Sequence, residues 1–268
     1  MGGVLHKPRL ISETPLVDLS LVIITLNEAD NLPALLDSVP KNVEIIVLDS
    51  GSTDHTCQIA NKFGARVEHR AFDNFASQKN YAMSLASRRW TLCLDADELP
   101  DENLWQAITA AVSGESLEGC AFSMKRRLIF LGRKMRHGRT QDRVVRLFHS
   151  HSGSYQKEIH ETIVLPKGSS VLSLEGVLWH KSYKDLNDYF SKFNRYTSMM
   201  ALSRWKSGKS RPSAFLMAAR LPTDFVIRYF FKLGFLDGWP GFLWAAMSSF
   251  YSLIKYAKLK EISEKVSG

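Results

Sequence analysis

The sequence predicts an α/β fold, a mostly parallel sheet with flanking helices, followed by an amphipathic helical extension at the C-terminus. Three observations predict it. Short apolar runs rich in β-branched residues alternate with segments of helical spacing over residues 18–100. Three of those runs end in polar clusters, at residues 25–28, 49–54 and 95–98. The last third of the chain is aromatic and basic with helical periodicity. Strands alternating with helices imply parallel βαβ units and a Rossmann-like, doubly wound sheet. Such sheets bind ligands outside the carboxyl ends of their strands, where all three polar clusters fall.

The first run, residues 19–25, is continuous enough for a strand buried on both faces. Residues 31–39 have helical spacing, with Asn31 as capping candidate and Pro33 in the first turn. A second strand is expected at 43–48, a helix at 57–63, a third strand at 64–68 and a helix at 78–88. The next apolar run, from Thr91, ends in Asp95-Ala96-Asp97-Glu98. Strand residues i and i+2 point the same way, so Asp95 and Asp97 are expected to converge. Two convergent carboxylates are costly unless a cation or proton lies between them. Hard divalent cations favour such oxygen ligands, often shared with substrate phosphates. The plain alternative is an acidic turn after a buried strand.

Missing motifs narrow the chemistry. No Gly-x-Gly-x-x-Gly follows the first strand and no Gly-x-x-x-x-Gly-Lys-Ser/Thr occurs, which disfavours dinucleotide oxidoreductases and P-loop phosphotransferases. A nucleotide could instead be held by Asp49, with its phosphates neutralised by a metal at Asp97.

These residues carry a resemblance. Leu21-Val22-Ile23-Ile24-Thr25-Leu26-Asn27-Glu28, Ile45-Ile46-Val47-Leu48-Asp49-Ser50-Gly51-Ser52-Thr53-Asp54, Gln78-Lys79-Asn80-Tyr81-Ala82 and Leu94-Asp95-Ala96-Asp97-Glu98 resemble the family 2 glycosyltransferases of GT-A fold in order and spacing. Asp142–Phe148, Ile159-His160-Glu161, Trp179-His180 and Gly234–Gly241 are similar to the lipopolysaccharide-core β-1,4-glucosyltransferase subgroup. The resemblance implies transfer of a sugar, glucose from UDP-glucose in this subgroup, with inversion at the anomeric carbon. The acceptor would be a hydroxyl of a lipid-linked saccharide such as the lipopolysaccharide inner core. It further implies that Thr25, Asn27, Glu28, Asp49, Ser50 and Ala96 line the nucleotide-sugar pocket, with Lys79 beside it. Asp95 would face the ribose or the metal's water shell, and Asp97 would ligate Mg²⁺ or Mn²⁺. Turn chemistry is the alternative for Thr25, Asn27 and Ser50, and a solvated helix face for Lys79 and Asn80.

Single displacement at a sugar carbon requires a general base for the acceptor hydroxyl and a cation for the departing diphosphate. Glu161 matches the Glu of the subgroup's His-Glu pair and is expected to be the base. Glu158 is the alternate and Asp142 a third carboxylate. His180 is a candidate further metal ligand, better suited to Mn²⁺ than Mg²⁺; a satisfied buried histidine is the alternative. His149 and His151 read as loop residues, and the histidines and cysteines lack zinc-ligand spacing. The basic run from Lys125 to Arg139 reads as a lid or acceptor loop for phosphate groups, or as a solvated loop.

Net charge is +8, and residues 181–268 hold 15 Lys/Arg against 6 Asp/Glu, so the excess belongs to the C-terminal region. Basic helices with aromatic faces suit an anionic membrane surface, and no nucleic-acid motif accompanies them. The longest uncharged stretch there, 238–254, contains Pro240 and is shorter than a spanning helix needs. A peripheral or monotopic contact with the cytoplasmic face of the inner membrane is expected, or packing in a homo-oligomer. Residues 1–17 read as a flexible leader without a signal-peptide core, 18–183 as the catalytic domain and 184–268 as the extension. Cys57, Cys93 and Cys120 read as reduced thiols. Other readings of the chain are a polyprenyl-phosphate sugar synthase, whose acceptor is a phosphate, a non-catalytic nucleotide-sugar-binding protein, and, disfavoured for want of a Gly-rich loop after the first strand, a nucleotidyltransferase.

Overall fold

The computed structural model of the chain describes residues 18–114, 119–156, 162–208 and 213–267. The chain divides into two compact units. One runs to residue 126 and resumes over 143–179; the other takes 127–142 and everything from 180 onward.

The first unit is built on a mixed sheet. Its parallel part comprises β1 (Leu19–Thr25), β2 (Glu44–Asp49), β3 (Arg66–His69) and β4 (Trp90–Asp95). Also in the sheet are β5 (Glu98–Pro100), β6 (Cys120–Phe130) and β8 (Gln141–His149), with β11 (Ser170–Ser173) and β12 (Leu178–His180). The short β7 (Arg133–Lys134), in the second unit, pairs there with the last residues of β6. The strand order is β3-β2-β1-β4-β8-β6-β12-β5, with β11 beside β6. β1 runs parallel to β2 and β4, while β4 meets β8 antiparallel. β9 (Ser154–Gln156) and β10 (Thr162–Val164) form a separate antiparallel pair. This GT-A-like arrangement meets the α/β expectation.

β1 explains the sheet's position. Leu19, Leu21 and Ile23 face one way, into a core with Leu32, Leu35 and Leu36 of α1 (Leu32–Asp37) and Leu104, Trp105 and Ile108 of α4 (Glu102–Val112). Val22 faces the other way, against Ile46, Leu48, Ala82 and Ala86. Period-2 alternation on a strand covered on both sides requires this continuous apolar run.

Several expected elements shift for identifiable reasons. Asn31 sits at the start of α1 but its side chain caps nothing; it donates to Glu28 at 2.8 Å, and the Glu28 carbonyl takes the Asn31 and Leu32 amides instead. The helix expected at 57–63 is α2 (Thr56–Lys62). Gly64, at φ +74°, terminates it, so β3 starts at Arg66 rather than 64. The helix expected at 78–88 is α3 (Phe75–Ser84). Asn74 starts it early by accepting from the Ser77 amide, and the Glu44 carboxylate pulls Ser87 out of it through the amide and hydroxyl, at 2.9 and 2.7 Å. His149 is the last residue of β8, not a loop residue, and its ring packs on Trp90 at 3.9 Å between centroids.

The second unit is helical. α5 (Leu186–Lys206) and α6 (Ala214–Val226) both pack on α7 (Gly238–Ser267), and α6 continues into a π-helical turn over Ile227–Phe231. Leu128, Phe130, Met135, Tyr189 and Met247 form its main buried cluster. Gly241 permits the close approach of α7 to the 3₁₀ turn Gly234–Asp237: a Cβ there would fall 2.0 Å from the Gly234 carbonyl oxygen. Among the described residues, no helix is long and apolar enough to cross a membrane. Large apolar side chains are nonetheless exposed along this unit, including Phe190, Phe215, Phe231 and Trp239.

Candidate active site

Strand register assembles the site. Thr25 and Asp49 are paired at the ends of β1 and β2, and Asp95 at the end of β4 pairs with Ile24. The three polar clusters therefore lie abreast at the carboxyl edge of the parallel sheet.

Asp49 is buried and organises the first part. Its Oδ1 accepts from the Thr25 hydroxyl at 3.0 Å and from the Ser52 hydroxyl. Its Oδ2 accepts from the amides of Gly51 and Ser52 at 2.9 and 2.8 Å. Burial pushes the pKa up, but these four donors together outweigh it and hold the carboxyl below the usual range. Asn27, in the left-handed region at φ +57°, ties the two loops: its amide donates to Ser52 and its side-chain oxygen accepts from the Thr53 amide, each at 2.8 Å. The Glu28 amide donates to Thr56 Oγ1 at 2.8 Å. Ser50 receives a hydrogen bond from the buried Gln78 amide at 2.9 Å.

The second part is a charge cluster around Asp95. Lys79 Nζ lies 2.8 Å from Asp95 Oδ1, and Arg146 lies 2.8 Å from Oδ2. Arg146 also pairs with Glu98 at 2.7 Å, and Arg126 meets the same carboxylate at 2.9 Å. Lys79, Arg146 and Glu98 are all buried. Lys79 therefore does not lie on a solvated helix face. Asn80 is likewise engaged inward, exchanging two hydrogen bonds with the backbone of Tyr155 at 2.9 and 2.7 Å. The Tyr155 ring lies under Lys79 Nζ at 5.3 Å from its centroid, and its hydroxyl accepts from Arg146 at 3.4 Å.

Asp97 does not extend the strand. β4 ends at Asp95, and the buried Ala96 and half-buried Asp97 form the turn into β5. Strand alternation thus stops at Asp95, where a two-residue turn replaces extended backbone. The third carboxylate, Glu98, is fully buried between two arginines, which sequence reasoning did not anticipate. Arg146 and Tyr155 were also missed as parts of this cluster; the signal available was a lone arginine within the apolar alternation of 144–148.

Glu158 and Glu161 fall outside the described residues. His180 ends β12 in the second unit, with its ring nitrogens 2.9 and 3.2 Å from Ser182 Oγ. Asp142 is exposed on β8, also in the second unit. All three cysteines are free thiols. Cys57 stands with Asp49 and His69 within 4.8 Å, but Asp49 is already satisfied by four protein donors.

Known proteins share this chain's pattern. The family model described as Glycosyl transferase family 2 matches residues 20–167. The lipopolysaccharide core biosynthesis glycosyltransferase LpsC of Rhizobium meliloti is 28% identical over 257 residues, 91% of this chain and 93% of the relative. A protein named as an uncharacterized glycosyltransferase of Rickettsia typhi is 29% identical over 259 residues, 92% of this chain and 88% of its own length. Among solved structures, glucosyl-3-phosphoglycerate synthase from Mycobacterium tuberculosis, bound to Mn²⁺, UDP and glucosyl-3-phosphoglycerate, is similar at 24% identity with a TM-score of 0.34. That match covers 47% of this chain, which spans half the length of the solved one. The family match takes in more than half of the chain, including the ends of β1, β2 and β4 and the cluster around Asp95: the chain is a glycosyltransferase and belongs to glycosyl transferase family 2.

Proposed function

We propose that this enzyme transfers glucose from UDP-glucose to a hydroxyl of a lipid-linked saccharide, such as the lipopolysaccharide inner core, with inversion and at the cytoplasmic membrane face. The observation that carries the reading is the alignment of Thr25, Asp49 and Asp95 on three adjacent strand ends. Similarity to LpsC over nearly the whole chain supports the acceptor class.

The geometry supports the roles proposed for the described residues, and the subgroup resemblance those of Glu161 and Glu158. The 49–54 loop, cross-tied to Asn27, Glu28 and Ala29, makes a rigid cradle for the nucleoside. Hydroxyls rotate, so Thr25 or Ser52 can yield its place on Asp49 to a base or ribose donor. Lys79 and Arg146 hold Asp95 in one position and add positive charge beside the diphosphate. The residues fit a hard divalent cation in one way. Each Asp95 oxygen already faces a cation at 2.8 Å, which suits it to the outer shell, while Asp97 in the half-buried turn is the direct ligand. Mg²⁺ or Mn²⁺ there would stabilise the charge of the leaving diphosphate. Glu161 takes the acceptor proton, with Glu158 as alternate.

The test is nucleotide release from UDP-glucose, UDP-galactose, UDP-N-acetylglucosamine, GDP-mannose and ADP-heptose, with Mg²⁺, Mn²⁺ or EDTA, comparing wild type with Asp97→Ala. Release from UDP-glucose that needs metal and disappears in the variant supports the reading. Release from another donor overturns the sugar assignment, and release unaffected by EDTA overturns the metal.

A further inference from the structure

The second unit holds a cleft of about 780 Å³ lined by Leu131, Arg133, Lys134, Arg136, Leu236 and Asp237, among others. Its walls are a β-hairpin and the 3₁₀ turn before α7. The hairpin pairs Phe130 with Arg133 and Ile129 with Lys134, which leaves Leu131 and Gly132 as a two-residue loop. Buried Phe130 and Met135 anchor its base among Tyr189 and Met247, so the loop stands on a rigid support.

The charge in this cleft is one-sided. Among the described residues that line it, Arg133, Lys134 and Arg136 are exposed cations, and the one carboxylate, Asp237, is engaged by two backbone amides and lies 3.3 Å from His137 Nδ1. It is 2% exposed and accepts from the amides of Arg136, at 3.0 and 3.2 Å, and His137, at 2.8 Å. Those bonds hold Arg136 and its neighbours in a fixed arc. Arg133 spans the cleft to the Leu236 carbonyl at 3.3 Å.

Apolar side chains border the same cations. Leu131 and Leu236 are 41% and 50% exposed, and Trp239, three residues after Leu236, is 67% exposed. Leu131 takes φ +48° before Gly132 at +75°, the loop conformation that favours Asn-Gly or Gly-Gly. A leucine there is both strained and wet, a combination found where strain serves a function. Three cations beside a raised apolar tip match a phosphate at the level where lipid headgroups meet acyl chains.

We infer that this cleft binds the phosphate of an anionic lipid headgroup, with Arg133, Lys134 and Arg136 on the phosphate and Leu131 and Leu236 in the apolar layer beneath it. The inference rests on the reading that the acceptor is carried by a lipid. Its test contains no sugar donor, so failure of one leaves the other standing.

The test is flotation of the full chain with phosphatidylcholine vesicles, pure or with about one-fifth phosphatidic acid. The variant Arg133→Ser, Lys134→Ser, Arg136→Ser is compared with a charge-matched control, Arg195→Ser, Lys206→Ser, Lys260→Ser, both checked by thermal melting. Loss of roughly tenfold or more in the cleft variant, with no more than about threefold in the control, is expected. Equal losses would mean diffuse attraction and overturn the site. Leu131→Asn separates lipid from free phosphate, since Asn suits the loop conformation and removes only the apolar contact. It is expected to weaken vesicle binding and leave calorimetric binding of inorganic phosphate unchanged. Unchanged vesicle binding, with inorganic phosphate as an effective competitor, overturns the lipid assignment.

Discussion

Lys79 Nζ stands 2.8 Å from Asp95 Oδ1 on a side chain that is 1% exposed, so a helix of the first unit delivers a buried cation to the end of β4. Burial lowers the lysine's pKa, but the Asp95 carboxylate more than offsets this and leaves it raised. A cation and a carboxylate so placed fix one another, and the second Asp95 oxygen is fixed by Arg146. The motif that ends in Asp97 therefore begins from an immobilised residue.

Lys79→Met is expected to destabilise the protein by about 3 kcal/mol, because removing one partner of a buried pair strands the other. Asp95 keeps Arg146 and is partly exposed, which puts the cost at the lower end. A raised folded pKa stabilises fully below the unfolded value of about 10.4, and the contribution is lost as pH rises through the folded one. The penalty should therefore be the same at about pH 6 and about pH 8. Urea unfolding at both checks it; a penalty that shrinks between them would refute the pairing.

Glu98 is enclosed by Arg126 and Arg146 and has no exposed surface. Glu98→Ala removes one of the two carboxylates that hold buried Arg146, which keeps Asp95, and is expected to cost about 3 kcal/mol. The paired change Glu98→Ala with Arg146→Ala should cost less than the sum of the singles. Thermal melts of the three variants read this, and additive losses would count against the cluster.

Asp49 links stability to pH. Its folded pKa is depressed, so its contribution is present above the unfolded value of about 3.9 and is lost as pH falls through the folded one. Asp49→Asn should be about 1–2 kcal/mol less stable than wild type at neutral pH. That gap should close in acid, and a gap unchanged from neutral pH to about pH 2 would contradict the four-donor arrangement. Calorimetry of the same variant should find weakened binding of UDP.

For the base, Glu161→Gln is expected to lower kcat for transfer on the order of 10²-fold with little change in donor KM. Glu158→Gln should stay within a few-fold of wild type. Steady-state kinetics with a saccharide acceptor decides; an undiminished Glu161→Gln rate would favour a phosphate acceptor, which needs no strong base.

Much of the site was legible along the chain because its parts are local. A strand that must bury both faces reads as a continuous apolar run, and the polar residue that stops it marks the carboxyl edge. Thr25, Asp49 and Asp95 were found in that way, and the order of their motifs carried the family. The destination of each charge was not legible. Nothing in the sequence says that Arg146 crosses to Asp95 and Glu98, 51 and 48 residues earlier, because an antiparallel pairing of β4 with β8 brings them together. Nor does local spacing tell a solvated lysine from Lys79, whose burial is tolerated only because Asp95 receives it. The run from Lys125 to Arg139 reads as a basic loop, yet Phe130 and Met135 within it pack with the C-terminal helices. The sequence by itself determined the four strands of the parallel part and their polar ends, which follow from short-range periodicity, and the family, which follows from the order of the motifs. Tertiary structure alone decided which charges are buried together, since the cost of burying a charge is met by partners that distant segments supply.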